Sequence, residues 1–142
     1  MEHIEDCISF LLGKAYQQVN QAAKRGLEVY GVTPVQFALL KLLWDQDGQS
    51  GAELGSRLQL DAATVTGMLD RLQNAGLIER RPDPKDRRIN RLFLTTQGRQ
   101  LQKPLEKVMD QINVEVYSRF TPADAEKLKA MLLNLGNVEV PA

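Results

Sequence analysis

Cysteine and histidine each occur once in the 142 residues, at Cys7 and His3. A single cysteine closes no internal disulfide, and the two residues together cannot furnish the ligands of a usual structural zinc site. They also give no evident nucleophile–base pair, so an enzyme is disfavoured and no cofactor is implied. Long apolar runs are missing too. Phe37 to Leu40 is typical of what is present, far short of the roughly 20 residues that cross a bilayer, and no membrane partner is expected. The opening MEHIEDCISF carries acids where a secretory signal carries Lys or Arg, and no small-residue cleavage site follows. Residence in the cytoplasm is therefore expected. Net charge is absent as well: 18 basic residues balance 18 acidic ones, which ordinarily argues against a nucleic-acid partner.

What remains is the composition of a chain able to bury a core, with 43% hydrophobic and 25% charged residues, and a length suited to one domain. The charge is unevenly spread. Between Arg80 and Arg91 lie six basic residues (Arg80, Arg81, Lys85, Arg87, Arg88, Arg91) against Asp83 and Asp86, a local net charge of +4 on a neutral chain. A positive patch thus sits on an otherwise acidic molecule.

Proline, glycine and capping residues divide the sequence into six helical stretches and one strand pair. From Ile4 to about Tyr30 apolar residues recur at steps of three and four, including Ile8, Leu11, Leu12, Val19, Ala23 and Leu27, which predicts a long amphipathic helix ending near Gly31. Thr33-Pro34-Val35-Gln36 opens a second helix with a cap, a first-position proline and a capping-box glutamine. Ser50-Gly51-Ala52-Glu53 repeats the capping-box spacing and opens a short third helix that stops near Gln59. Asp61 caps a fourth, from Ala62 to Ala75, closed by Gly76. Leu77–Arg81 and Ile89–Leu94 read as strands around the turn-rich PDPKDRR. Thr95 or Thr96 starts a fifth helix reaching Phe120, with Pro104 expected to kink it. The last helix begins at Thr121-Pro122 and ends at Gly136.

Two short helices joined by a tight turn and followed by a basic hairpin describe a helix-turn-helix with a wing. A helix of this width enters the major groove of a duplex, and a positive ribbon reaches neighbouring phosphates or the minor groove. The fourth helix presents Ala62, Ala63, Thr64, Thr66 and Gly67 near its start, small residues and hydroxyls that permit close approach. Val65, Met68, Leu69 and Leu72 fall on the inward side.

The run AELGSRLQLDAATVTGMLDRLQNAGLIERRPDPKDRRINRLFLTTQG resembles the MarR (multiple antibiotic resistance regulator) family of winged-helix transcription factors. Its LGSRL, TVTGMLDRL, GLIER, DRR and LTTQG segments match that family's LA-x-x-L, TVT-x-x-x-x-RL, GL-x-x-R, D-x-R and LT-x-x-G pattern. Gly55 departs from it, standing where the family usually has alanine. The resemblance implies a mainly α fold with a small β-hairpin. It places a winged helix-turn-helix DNA-binding region at 33–96 within a single chain of 1–142, and dimerisation helices at 1–32 and 97–142. It further implies a homodimeric repressor on an inverted-repeat operator of double-stranded DNA, released by a small ligand. The apolar stripes of the terminal helices support dimerisation independently, since one small wing domain cannot cover them.

Expected DNA contacts are Ser50, Ala62, Ala63, Thr64, Thr66, Gly67, Arg71, Lys85, Asp86, Arg87 and Arg88. Among these, Asp86 and Arg88 match the wing's D-x-R, in which the aspartate orients an arginine entering the minor groove. A small aromatic or phenolic effector is expected in the crevice between the first two helices and the winged region, with Ser9, Tyr16, Phe37 and Trp44 as its walls and Lys14 or Arg88 as a charge. Alternatives are a thiol-based redox sensor at Cys7 and a winged-helix module that binds only protein. Against the former, the position at which one branch of the family senses hydroperoxides falls on Ser9, and that branch's assisting tyrosines correspond to Gly13 and Ala23. Against the latter, the basic hairpin would have no purpose.

Overall fold

Among the described residues five side chains start helices, and all five do it through the same kind of bond. The hydroxyl or carboxylate of Thr33, Ser50, Asp61, Thr95 and Thr121 accepts the backbone N–H three residues on, at 2.8 to 3.2 Å, satisfying a donor that the first helical turn leaves orphaned. The structure, a computed structural model, describes residues 1–137. A 3₁₀ turn at Ile4–Asp6 leads into α1 (Ile8–Glu28), followed by α2 (Pro34–Asp45), β1 (Gln49–Ser50), α3 (Gly51–Leu58) and α4 (Ala62–Asn74). Then come β2 (Ile78–Pro82), β3 (Asn90–Leu94), α5 (Thr96–Gln100), α6 (Gln102–Tyr117) and α7 (Pro122–Gly136). Among the described residues no helix is long and apolar enough to cross a membrane.

Three details differ from the sequence reading. The first helix starts at Ile8 because Cys7 is extended (φ −87°, ψ 112°) and interrupts the run from Ile4. The expected kink at Pro104 is instead a break upstream, between α5 and α6 at Leu101. Proline lacks an N–H and crowds the carbonyl four residues back, so it is tolerated in the first turn of a helix and not inside one; Pro104 is the third residue of α6. A third strand, β1, is too short to leave a sequence signal. It pairs antiparallel with β3 (Gln49 with Leu92, Ser50 with Arg91), giving the sheet order β1-β3-β2.

Alternation in the hairpin puts Ile78, Leu92 and Leu94 on the face toward the helices, where all three are buried. They join Leu27, Leu39, Leu40, Leu43, Leu54 and Leu72 in one core, each fully buried leucine worth about 1.5–3 kcal/mol of transfer free energy. The terminal helices sit differently. Only Ala23 and Leu27 of α1 are buried, only Leu105 of α6, and no residue of α7. Ile8, Met131 and Leu133 are 63%, 63% and 58% exposed, so much of the apolar surface of α1 and α7 faces outward, whereas that of α6 is largely half-buried.

Candidate nucleic-acid interface

The turn between α3 and α4 is tight for a steric reason. A Cβ on Gly55 would lie 3.1 Å from Val65 Cγ2 and 3.3 Å from the Leu60 carbonyl oxygen, so the absent side chain lets the two helices close on each other. Leu60 N–H donates to the Gly55 carbonyl (2.9 Å) and Gln59 takes the left-handed conformation (φ 55°) that ends α3. On α4, Val65, Met68, Leu69 and Leu72 are buried and hold the helix to the core. Its other side presents Ala62, Ala63, Thr64, Thr66 and Arg71 to solvent, and nothing lies within 4 Å of where a Gly67 Cβ would project. Thr64 Oγ1 donates to Asp61 Oδ2 (2.8 Å). With the Thr64 N–H, this bond holds the Asp61 carboxyl below the usual range.

The six basic residues of the hairpin divide into two groups. Arg80 points to the helix side and bonds Asp70 (2.7 Å) and Gln73 of α4, bracing that helix. Arg81 points outward, paired with Glu79 and lying 4.4 Å from the centroid of the Phe93 ring. Arg91 is tied at the root of the wing to Asp83 (2.9 Å). Lys85, Arg87 and Arg88 crown the tip, and among the described residues Lys85 and Arg87 form no ion pair. Arg88 does: its Nε and Nη2 donate to the two carboxylate oxygens of Asp86 at 3.0 Å each, while its side chain stays 90% exposed. The pair keeps Asp86 ionised to lower pH than usual and the guanidinium more firmly protonated. Asp86 thus orients a cation that faces away from the protein.

Ser50 is 8% exposed, and its hydroxyl caps α3. It opens onto a concave channel of about 600 Å³ between α3, α4 and the wing, lined also by Ala52, Thr66, Asp70, Ile89 and Asn90. Ile89 and Asn90 escape sequence reasoning, since only the strand register carries them beside α4.

The four side chains expected to wall an effector crevice do not converge. A cavity of about 360 Å³ lies between α1, α2, the α3–α4 turn and α6, and Tyr16 lines it. Phe37 and Trp44 do not: they pack edge-to-face at 6.0 Å against the core, and Trp44 Nε1 donates to the Gly98 carbonyl (3.0 Å). Ser9 is exposed on α1, two helical turns, about 10 Å, before Tyr16. Lys14 lies 5.6 Å from the Phe10 ring, Arg88 at the wing tip, and neither borders the cavity. Cys7 is half-buried at the start of α1. Among the described residues no three His, Cys, Asp or Glu side chains gather to hold a metal ion.

Comparison with known proteins fits this geometry. Residues 32–89 match the model of the MarR family. The chain is 30% identical to an organic hydroperoxide resistance transcriptional regulator of Bacillus subtilis over 93% of its own length and 88% of that protein's. Its fold superposes on BpsR of Bordetella bronchiseptica, a structure described in terms of regulation of DNA binding by 6-hydroxynicotinic acid, with a TM-score of 0.90 and 27% identity over 98% and 99% of the two chains. It also superposes on MepR of S. aureus in complex with DNA, with a TM-score of 0.85 and 28% identity over 90% and 95%. A helix-turn-helix braced by a basic hairpin, on a chain this similar to such proteins, makes this a DNA-binding winged-helix transcriptional regulator of the MarR family rather than an enzyme.

Proposed function

We propose that the chain acts as a homodimeric repressor on an inverted-repeat operator and that a small aromatic or phenolic effector releases it. The observation that carries this reading is the pairing of α4, with its surface of small residues, and a wing tip holding Lys85, Arg87 and Arg88 beside it. Helix α4 enters the major groove, Arg88 enters the adjacent minor groove, and the strand between them runs along the channel past Ser50, Thr66 and Asn90. MepR bound to DNA, similar in fold, supports this arrangement. The outward apolar faces of α1 and α7, with Val114 of α6, support a dimer built from 1–32 and 97–142, with 33–96 as the DNA-binding region of each protomer. Working on chromosomal DNA, the regulator resides in the cytoplasm.

The effector reading moves to the 360 Å³ cavity, a size suited to a small aromatic ligand. Its walls join the terminal helices (Tyr16, Asn20, Met109) to α2 (Val35) and to the helix-turn-helix (Leu58, Leu60). A ligand there shifts operator affinity only if it prefers a spacing of the two recognition helices that mismatches the half-sites. Among the described residues no cation borders the cavity, so a neutral phenol fits it better than a carboxylate.

Sequencing the genomic fragments that the purified protein retains at moderate salt tests the proposal. The expected result is an inverted repeat with half-site centres about one DNA turn, ~34 Å, apart, bound by a species of twice the chain mass in light scattering. A folded monomer at micromolar concentration, or no enriched sequence, overturns it.

A further inference from the structure

Arg91 is the one basic residue of the wing whose guanidinium reaches three separate parts of the chain. Its Nε and Nη2 meet Asp83 Oδ2 at 2.9 Å, Nη1 donates to the Gly48 carbonyl at 3.0 Å, and Nη1 lies 3.9 Å from Glu53 Oε1 on α3. Asp83 is buried, which is rare for a carboxylate without partners. Its other oxygen accepts the Lys85 N–H at 2.8 Å, and its own N–H donates to the Ile89 carbonyl at 2.8 Å. The loop that carries Lys85, Arg87 and Arg88 is therefore closed at its base by Asp83, and Asp83 is fastened through Arg91 to the segment that opens the helix-turn-helix.

We propose that Asp83 and Arg91 form a latch that positions the wing relative to α4, so that the tip cations and the recognition helix meet the two grooves of one duplex together. This inference rests on the reading that both elements bind DNA. Neither residue needs to touch the duplex. The latch acts by ordering the tip before binding, and without it that ordering must be supplied from the binding free energy. Arginine is required because its planar fork reaches the Asp83 carboxylate with Nε and Nη2 and the Gly48 carbonyl with Nη1; a lysine carries all its donors on one nitrogen, which cannot occupy those separate positions at once.

The sign of one charge change makes the test decisive. Asp83→Asn removes a negative charge from a DNA-facing wing, so plain electrostatics predicts tighter binding to DNA. The latch predicts weaker binding. The probes are a mixed-sequence duplex of about 30 base pairs at low salt and the genomic fragment recovered as above, titrated with the full-length protein. Asp83→Asn, Arg91→Ala and the double variant should each lose about tenfold in affinity, with no further loss on combination because they break one device. Arg91→Lys, which keeps the charge, should fail to restore binding. The salt dependence should stay at the wild-type slope, whereas loss of a direct phosphate contact lowers it by ~0.9 per protomer. Thermal midpoints of the variants establish that they are folded, and Arg91→Lys keeps the question open to refutation should Arg91→Ala fail to fold. Tighter or unchanged binding by Asp83→Asn, additive losses, or a shallower slope overturn the latch. Arg88→Ala separates this from the underlying reading: if it weakens binding while Asp83→Asn does not, the latch alone fails, and if it too is harmless, the wing is not a DNA contact.

Discussion

Replacing Gly98 by alanine should destabilise the protein although alanine is the better helix former. Gly98 is buried in α5, and a Cβ there would meet the Leu77 carbonyl oxygen well inside the 3.0 Å that real Cβ contacts keep, with the Leu77 carbonyl carbon at 3.2 Å and Leu94 Cδ2 at 3.3 Å. The obstacle is backbone and cannot rotate away, so α5 and the start of the hairpin must separate by roughly 1 Å to reach an ordinary C···O distance. Two bonds span that seam: Thr95 N–H to the Leu77 carbonyl (3.1 Å) and Thr95 Oγ1 to the Gly76 carbonyl (2.7 Å). Overpacking costs about 1–3 kcal/mol, and weakening the two bonds adds about 1 kcal/mol. The gain in helix propensity returns about 0.8–1 kcal/mol. A net loss of about 1–3 kcal/mol follows, lowering Tm by about 3–10 °C for a protein of this size. Thermal and urea unfolding at matched protein concentration read it, because a dimer's stability depends on concentration. A Gly98→Ala protein as stable as the parent would show that Gly98 is merely a helix-interior glycine and that the packing of α5 on the hairpin is wrong.

Three further outcomes follow from the same geometry. Gly67→Ala meets no neighbour within 4 Å, so it should stabilise the fold by about 0.5–1 kcal/mol yet weaken operator binding, and unchanged binding would mean that α4 does not approach DNA closely there. Thr66→Tyr keeps the charge but obstructs the exposed face of α4, so operator affinity should fall while weak non-specific binding keeps its salt slope; retained operator affinity contradicts the major-groove assignment. Asp61 has a lowered folded-state pKa, so its cap contributes fully above about pH 4 and is lost as pH falls through the lower folded value. Acid titration of Asp61→Ala should accordingly show a smaller stability loss below pH 4 than the parent, and identical acid profiles would contradict the cap.

Helix starts are legible in this sequence because capping is local: Thr33, Ser50, Asp61 and Thr121 lie three residues from the N–H they satisfy. The inward face of α4 is legible for a similar reason, as Val65, Met68, Leu69 and Leu72 are spaced for one side of a helix. What depends on distant partners is hidden. The run from Arg80 to Arg91 reads as one basic patch, yet strand alternation sends Arg80 to Asp70 and Gln73, Arg81 to Phe93, and Arg91 to Asp83 and Gly48. Phe37 and Trp44 look like walls of a ligand site until the Gly98 carbonyl, 54 residues from Trp44, takes the indole N–H. Cavity residues such as Leu60 and Met109 come from four separate elements, and no spacing announces them.

The central claim, that the wing tip and α4 together form the DNA-binding surface, is tested most directly by the salt dependence of operator binding in the parent and in Arg88→Ala. If each Arg88 neutralises one phosphate's worth of field, the slope of log K against log salt should become shallower by ~0.9 per protomer, about 1.8 per dimer. Affinity should fall on many sequences while preference for the operator partly survives, because α4 still reads it. A folded, dimeric Arg88→Ala protein with unchanged affinity and unchanged slope would contradict the account and leave the basic hairpin as a solvated turn.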